Sequence, residues 1–169
     1  QVPVGASLYE PKLIQTANMI LNLAKEKNCQ IILPIDGVVS KSLQAGGASE
    51  TRMNGMVKDD EMILDIGVES IALFKKHIRQ SKTLLWNGPA GAFEIAPYDK
   101  GSKLIGAYIG KRTRTGQLIS VAGGGDTVAA VNLAGVGKNI SYLSLAGGAF
   151  LEWIEGKILP GIEALNTAD

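Results

Sequence analysis

The sequence predicts an α/β protein built on a partial doubly wound, Rossmann-like parallel sheet with helices on both faces. Three observations predict it. Short apolar segments of strand length alternate with segments of helical period. The strand segments are continuously apolar, as in TLLW and LISVA, which is the pattern of strands buried on both faces. Glycine clusters stand at the carboxyl ends of these strands, where open α/β sheets take their ligands.

At 169 residues the chain is one domain or most of one, long enough to bury on the order of two-thirds of its unfolded surface. A net charge of +1 leaves no footprint for nucleic acid. The single cysteine, Cys29, excludes an internal disulfide and favours an intracellular setting. No apolar run reaches the roughly 18 residues a membrane span requires, so no membrane association is expected. The opening QVPVGASLYE lacks a charged and then apolar leader, and it lacks Met, which suits a fragment or a processed chain.

The elements follow in order. Leu13, Ala17, Ile20, Leu21 and Ala24 recur at helical spacing and predict an amphipathic helix over 11–27. QIILPI, 30–35, has the length and composition of a buried strand. Residues 36–62 form a polar excursion containing AGGASETRMNG, with room for one hairpin. A short strand over 63–66 ends in Gly67. A helix over 69–79 follows, with Ile71, Phe74 and Ile78 on one face. Thr83–Trp86 is a strand closed by NGPAG. Leu104, Ile105, Tyr108 and Ile109 mark a helix over 103–111. LISVA, 118–122, is a strand; GGGDT and a helix from Thr127 to about Ala134 follow it. Residues 140–144 form another strand, then LAGGA and a helix carrying Phe150, Leu151 and Ile154. LPGIEAL closes the pattern.

Three junctions carry candidate chemistry. In GGGDT, glycines permit positive φ and close approach of the backbone to a ligand, and N–H groups at a helix N-terminus attract anions. Asp126 has the chemistry of a Mg2+ ligand acting beside phosphate oxygens. The plain alternative is a tight turn with Asp126 or Thr127 as helix cap. In WNGPAGAFE, the rigid turn holds Asn87, and Glu94 has the chemistry to accept ribose hydroxyls; a simple loop is the alternative. In AGGAFLEWIEG, Gly147 and Gly148 open a second helix and a second anion site, or serve close helix–strand packing. The chain has neither a Walker A lysine nor a GxGxxG paired with a ribose acid, which disfavours a dinucleotide-dependent dehydrogenase. No His/Cys cluster has zinc spacing, and the one histidine, His77, is expected on a solvated helix face, which disfavours a Ser/His/Asp set. Cys29 is expected to pack, and KRTR at 111–114 to be solvated surface.

Taken together and in order, VGASLYE, LPIDGVV, LDIG, WNGPAGAFE, SVAGGGDT, AGGAFLEWIEG and LPGIEAL resemble the phosphoglycerate kinase family, in its bacterial form, across essentially the whole chain. The resemblance is to the C-terminal, nucleotide-binding lobe. It implies a glycolytic, cytoplasmic and monomeric transferase that moves phosphate between 1,3-bisphosphoglycerate and ADP, giving 3-phosphoglycerate and ATP. Carried over by motif, Gly124, Gly125, Asp126 and Thr127 would hold the nucleotide phosphates, with Asp126 meeting Mg2+. Asn87 and Pro89 would lie near the phosphates and ribose, and Glu94 would bind the ribose hydroxyls. Gly67, with Leu64, would line the adenine slot. Gly147 and Gly148 would offer N–H groups to the transferring phosphoryl group.

The family usually reads SHVSTGGGA where this chain reads SYLSLAGGA, so Tyr142, Leu145 and Ala146 replace His, Thr and Gly, and Leu145 removes a hydroxyl beside the reaction site. Ala6 stands in place of a frequent Lys. The resemblance also implies that residues 1–169 lack the N-terminal lobe, which takes the glycerate substrate, and the first two strands of this lobe, with the phosphate lysines. The strand at 31–35 is then expected to have no neighbour joining it to Thr83–Trp86, and the isolated piece to be inactive and poorly stable or paired with a copy. The alternative function is a non-catalytic nucleotide-binding or interaction module that keeps the fold only.

Overall fold

A computed structural model describes residues 2–144 and 147–166. It divides into two units: Gln1–Phe74 with Ala90–Gly101, and Lys75–Pro89 with Ser102–Asp169.

The first unit opens with a 3-10 turn, Pro11–Leu13, and helix α1, Ile14–Glu26. The helix is where periodicity places it, but of its residues only Ala24 is buried, while Leu13, Ile20 and Leu21 stay exposed. Strands β1 (Asp36–Ser40), β2 (Glu50–Met53) and β3 (Met62–Ile66) form an antiparallel sheet of order β2-β1-β3. The expected hairpin is thus present within the polar excursion, as β1 paired with β2. Arg52 fixes its far end. Its guanidinium donates to both Glu61 carboxylate oxygens, at 3.0 and 3.3 Å, and this contact holds the Glu61 carboxyl below the usual carboxylate range.

Three features differ from expectation here. QIILPI is not a strand; regular pairing begins only at Asp36. Pro34 has no N–H for a ladder. The Ile35 N–H donates to Ser70 Oγ at 2.9 Å, and the Ile35 carbonyl accepts from the Asn54 N–H at 2.9 Å. The Ile35 backbone is therefore satisfied by a side chain of α2 and by the residue after β2, with no further strand pairing before Asp36. The antiparallel sheet also lies outside the parallel pattern that the sequence suggested. Cys29, expected to pack, is exposed.

Helix α2, Val68–Gln80, starts in the first unit and ends in the second, with Ile71 and Ile78 buried; His77 is half-buried rather than fully solvated. The second unit contains the parallel sheet. Its strands are β4 (Thr83–Trp86), β5 (Ile119–Gly123) and β6 (Tyr142–Ser144), in order β4-β5-β6. Thr83 pairs with Ile119 and Trp86 with Ala122; Val121 pairs with Tyr142 and Gly123 with Ser144. The connections are helices α3 (Lys100–Arg114) and α4 (Gly125–Leu133); α5 (Gly147–Ile154) and α6 (Pro160–Asn166) follow β6.

Small residues set the packing of this unit. A Cβ at Gly106 would stand 2.9 Å from the Trp86 ring and 2.9 Å from Ala134 Cβ, and one at Gly110 would stand 2.8 Å from Val136 Cβ. These glycines, one turn apart, let α3 lie against the core of Trp86, Ile109, Leu118, Ala122, Ala130 and Val131. At the amino end of the sheet, Thr113 Oγ1 donates to Ser120 Oγ at 2.8 Å, and Ser120 and Ser141 exchange N–H to hydroxyl bonds at 3.1 and 3.2 Å. The register is thereby fixed, and the opposite, carboxyl ends of the strands line up.

Candidate functional site

In the second unit the carboxyl ends of β4 and β5 open into glycine turns, and α5 begins with glycine after β6. After β5 the chain turns at Gly124, whose φ of +98° is open to glycine and strained for any side chain. Its carbonyl accepts from the Val128 N–H at 2.9 Å and so starts α4. The first turn of α4 carries Gly125 and Asp126, both exposed, and the Cβ direction of Gly125 meets nothing within 4 Å. An exposed acid in this turn is stabilised by the helix dipole, and the N–H groups beside it have no intrahelical acceptor.

Thr127 is different. It is buried, at 1% exposure, and its Oγ1 accepts the Gly88 N–H at 2.7 Å. Gly88, at φ +102°, is held from its other side as well, because Trp86 Nε1 donates to its carbonyl at 2.8 Å. The Asn87–Pro89 turn is therefore clamped to the start of α4. Asn87 Oδ1 lies 3.8 Å from the position a Cβ would take on Gly124. The structure thus brings Asn87, Gly88, Gly124 and Thr127 together, with Asp126 and Gly125 on the open side.

The adjacent junction, after β6, starts α5 at Gly147. Gly148 is exposed, with nothing within 4 Å of its Cβ direction. At Gly123 a Cβ would stand 3.3 Å from Phe150 Cδ1, a tight approach, so α5 packs closely on the end of β5. Two helices with glycine in the first turn therefore begin at the ends of neighbouring parallel strands. Leu145 and Ala146 lie outside the described residues, whereas Tyr142 is exposed on β6.

In the first unit Gly67 follows β3. A Cβ there would stand 2.1 Å from Asp36 Oδ2. Asp36 is buried, and its carboxylate accepts the N–H groups of Glu69 at 3.1 Å and Ser70 at 2.7 Å, capping α2 from a different element. Gly67 is thus required by this cap, whatever else it contacts. Leu64 is half-buried and, with Val4, Leu33, Ile63 and Ile66, lines an apolar hollow of about 460 Å3. Glu94 is exposed in the loop that leads to α3. Asp65, also buried, accepts the Gly101 N–H on Oδ2 and the Ile66 N–H on Oδ1, each at 2.8 Å. Burial is the main cause that pushes its carboxyl up to about 6, with the nearby Asp99 charge acting in the same direction.

Three residues escaped the sequence reading. Asp36 and Asp65 left a signal, a lone acid inside or beside an apolar strand in PIDG and LDIG. Ser70, which donates to the Asp36 carboxylate and accepts from the Asp36 N–H, left none.

Among the described residues no group of three or more His, Cys, Asp or Glu could hold a metal ion. Asp126 alone therefore fits a cation that arrives with phosphate oxygens, as Mg2+ commonly does, and does not fit a resident all-protein metal site.

Parallel strands, connecting helices and glycine turns at the strand carboxyl ends define an α/β protein of the open parallel-sheet class. The family model "Phosphoglycerate kinase" matches residues 1–157. A phosphoglycerate kinase of Methylorubrum extorquens is 56% identical over 164 residues, covering 97% of this chain and 41% of that protein. That of Xanthobacter autotrophicus is 54% identical over 163 residues, with 96% and 41% covered. The solved phosphoglycerate kinase of Coxiella burnetii superposes with a TM-score of 0.91 at 36% identity, over 98% of this chain and 41% of that one. This chain belongs to the phosphoglycerate kinase family. It spans about two-fifths of the length of the curated relatives it matches, 41%.

Proposed function

We propose that this chain is the C-terminal, nucleotide-binding part of a phosphoglycerate kinase, lacking the first two strands of that lobe and the N-terminal lobe, and that the whole enzyme transfers phosphate between 1,3-bisphosphoglycerate and ADP. The observation that carries the reading is the Gly88–Thr127 clamp. It holds the Asn87 turn against an open helix N-terminus that presents Asp126. Membership of the family supports the reaction.

In this reading Gly124 and Gly125 let the backbone approach the nucleotide phosphates, and N–H groups of the first turn of α4 face them. Thr127 acts by fixing Gly88, since its own hydroxyl is buried in that bond. Asn87 and Pro89 bound the phosphate and ribose side. In the first unit, Glu94 accepts ribose hydroxyls, and Gly67 with Leu64 contacts the base. Gly147 and Gly148 offer N–H groups to the phosphoryl group in transfer. Asp126 would be the protein contact for Mg2+ brought by the nucleotide, which would neutralise phosphate charge. Phosphoryl transfer asks the protein for positioning and charge stabilisation rather than covalent help. The glycerate substrate belongs to the N-terminal lobe, and the bacterial relatives suit a cytoplasmic, monomeric glycolytic enzyme. No helix among the described residues is long and apolar enough to cross a membrane.

Calorimetry on the full-length enzyme tests the reading. Asp126→Asn is expected to weaken MgADP binding while leaving binding of ADP in chelator unchanged. Equal loss for both forms, or no loss for either, would remove the metal contact from the account.

A further inference from the structure

The loop from Ala90 to Asp99 contains neither helix nor strand, yet it carries Glu94. It is anchored to two neighbouring residues of β3, its start bonded to Leu64 and its end to Asp65. At its start the Ala92 N–H donates to the Leu64 carbonyl at 2.7 Å. Beside that bond Gly91, at φ +67°, packs so closely that a Cβ would stand 2.5 Å from Asp65 Oδ1. At its end the Gly101 N–H donates to Asp65 Oδ2 at 2.8 Å, and the Lys100 N–H also bonds the carboxylate. A Cβ at Gly101 would stand 2.3 Å from Asp65 Oδ1.

One buried carboxylate thus caps the N-terminus of α3 and closes the base of the loop. Its bonds are to backbone N–H groups, and it is 2% exposed. A local N-cap would serve the helix equally well. A cap reaching across from β3 does something a local one does not: it ties the loop bearing Glu94 to the strand that ends in Gly67.

We propose that Asp65 is the positioning residue of the nucleoside end of the site, holding the Gly91–Gly101 loop closed on β3 so that Glu94 is presented to the ribose without Asp65 itself touching the nucleotide. This rests on the nucleotide reading given above. Asp65 acts on affinity for the nucleoside and leaves the phosphate end and the transfer step alone. Gly91 and Gly101 are part of the same latch, because neither has space for a methyl group beside the carboxylate.

The test uses the full-length enzyme with steady-state kinetics. Asp65→Asn places an amide N–H against a backbone N–H and breaks one bond to a charged acceptor. It is expected to raise KM for MgATP about tenfold, the scale of one such bond, with kcat changed by less than about twofold. Inhibition by magnesium tripolyphosphate, which has no nucleoside, stays unchanged, and exchange of the Gly101 amide proton speeds up. Gly101→Ala is expected to raise KM in the same way, and it decides the matter if Asp65→Asn does not fold. An unchanged KM for MgATP, or equal weakening of MgATP and tripolyphosphate, overturns the latch. Glu94→Gln, measured alongside, separates the two layers. If it leaves KM for MgATP unchanged, the ribose reading fails and the latch with it. If it raises KM while Asp65→Asn does not, the latch alone fails.

Discussion

The Gly88 N–H donates to Thr127 Oγ1 across 2.7 Å, joining residues 39 apart in the chain. One bond thereby connects the turn after β4 to the helix after β5. Replacing Thr127 with Val keeps the shape and leaves a part-buried N–H without its acceptor. The expected loss is about 1–3 kcal/mol of stability, with Thr127→Ser close to wild type. Urea unfolding of the full-length enzyme measures it. Equal stability of the Val and Ser variants would show that the clamp carries no energy.

Gly67 and Asp36 form the second dependence. A methyl group on Gly67 would stand 2.1 Å from Asp36 Oδ2, so it must expel the carboxylate from the Glu69 and Ser70 N–H groups. Gly67→Ala is expected to destabilise by about 2 kcal/mol or more, the sum of overpacking and a lost cap. In an Asp36→Ala background the same change is expected to do much less harm, because both act on one cap. Additive effects in the double-mutant cycle would contradict the dependence.

Asp65 sets a pH dependence of stability. Its folded pKa, pushed up to about 6, lies above the ordinary carboxylate value of 3.8. The folded state therefore binds the proton more tightly than the unfolded chain does. The associated stability is fully present below pH about 4 and is lost as pH rises through about 6, by about 1–2 kcal/mol after allowance for solvent screening. Asp65→Asn lacks this slope. The measurement is the difference in unfolding free energy between wild type and variant from pH 4 to pH 7. A difference that stays flat with pH would contradict a raised pKa.

Much of the second unit was legible in the sequence. TLLW is a strand over its whole length, and LISVA is displaced by one residue, since both are apolar runs of strand length; the expected burial on both faces fails, because Leu85 and Ile119 are exposed. The turns at Gly88 and Gly124 stand where the sequence places them. The first unit was less legible. QIILPI has the composition of a buried strand, but a strand also needs a neighbour with matching N–H and C=O groups, and composition does not encode that neighbour. Asp36 and Asp65 each cap a helix from another element, a relationship no local window contains. The direction in which Thr127 turns its hydroxyl, inward to Gly88 rather than outward to a ligand, likewise depends on packing across 39 positions.

The central claim is that the open turn at the end of β5 handles phosphate through Asp126. Its most direct test is kcat of the full-length enzyme carrying Asp126→Asn, at saturating MgATP and 3-phosphoglycerate. Because Asp126 is exposed, the fold is expected to remain intact, as checked by its unfolding midpoint. The account predicts a fall in kcat of about 100-fold, the scale at which loss of one electrostatic contribution to the transition state acts, here through the Mg2+ contact. A variant that folds normally and turns over at close to the wild-type rate would contradict it.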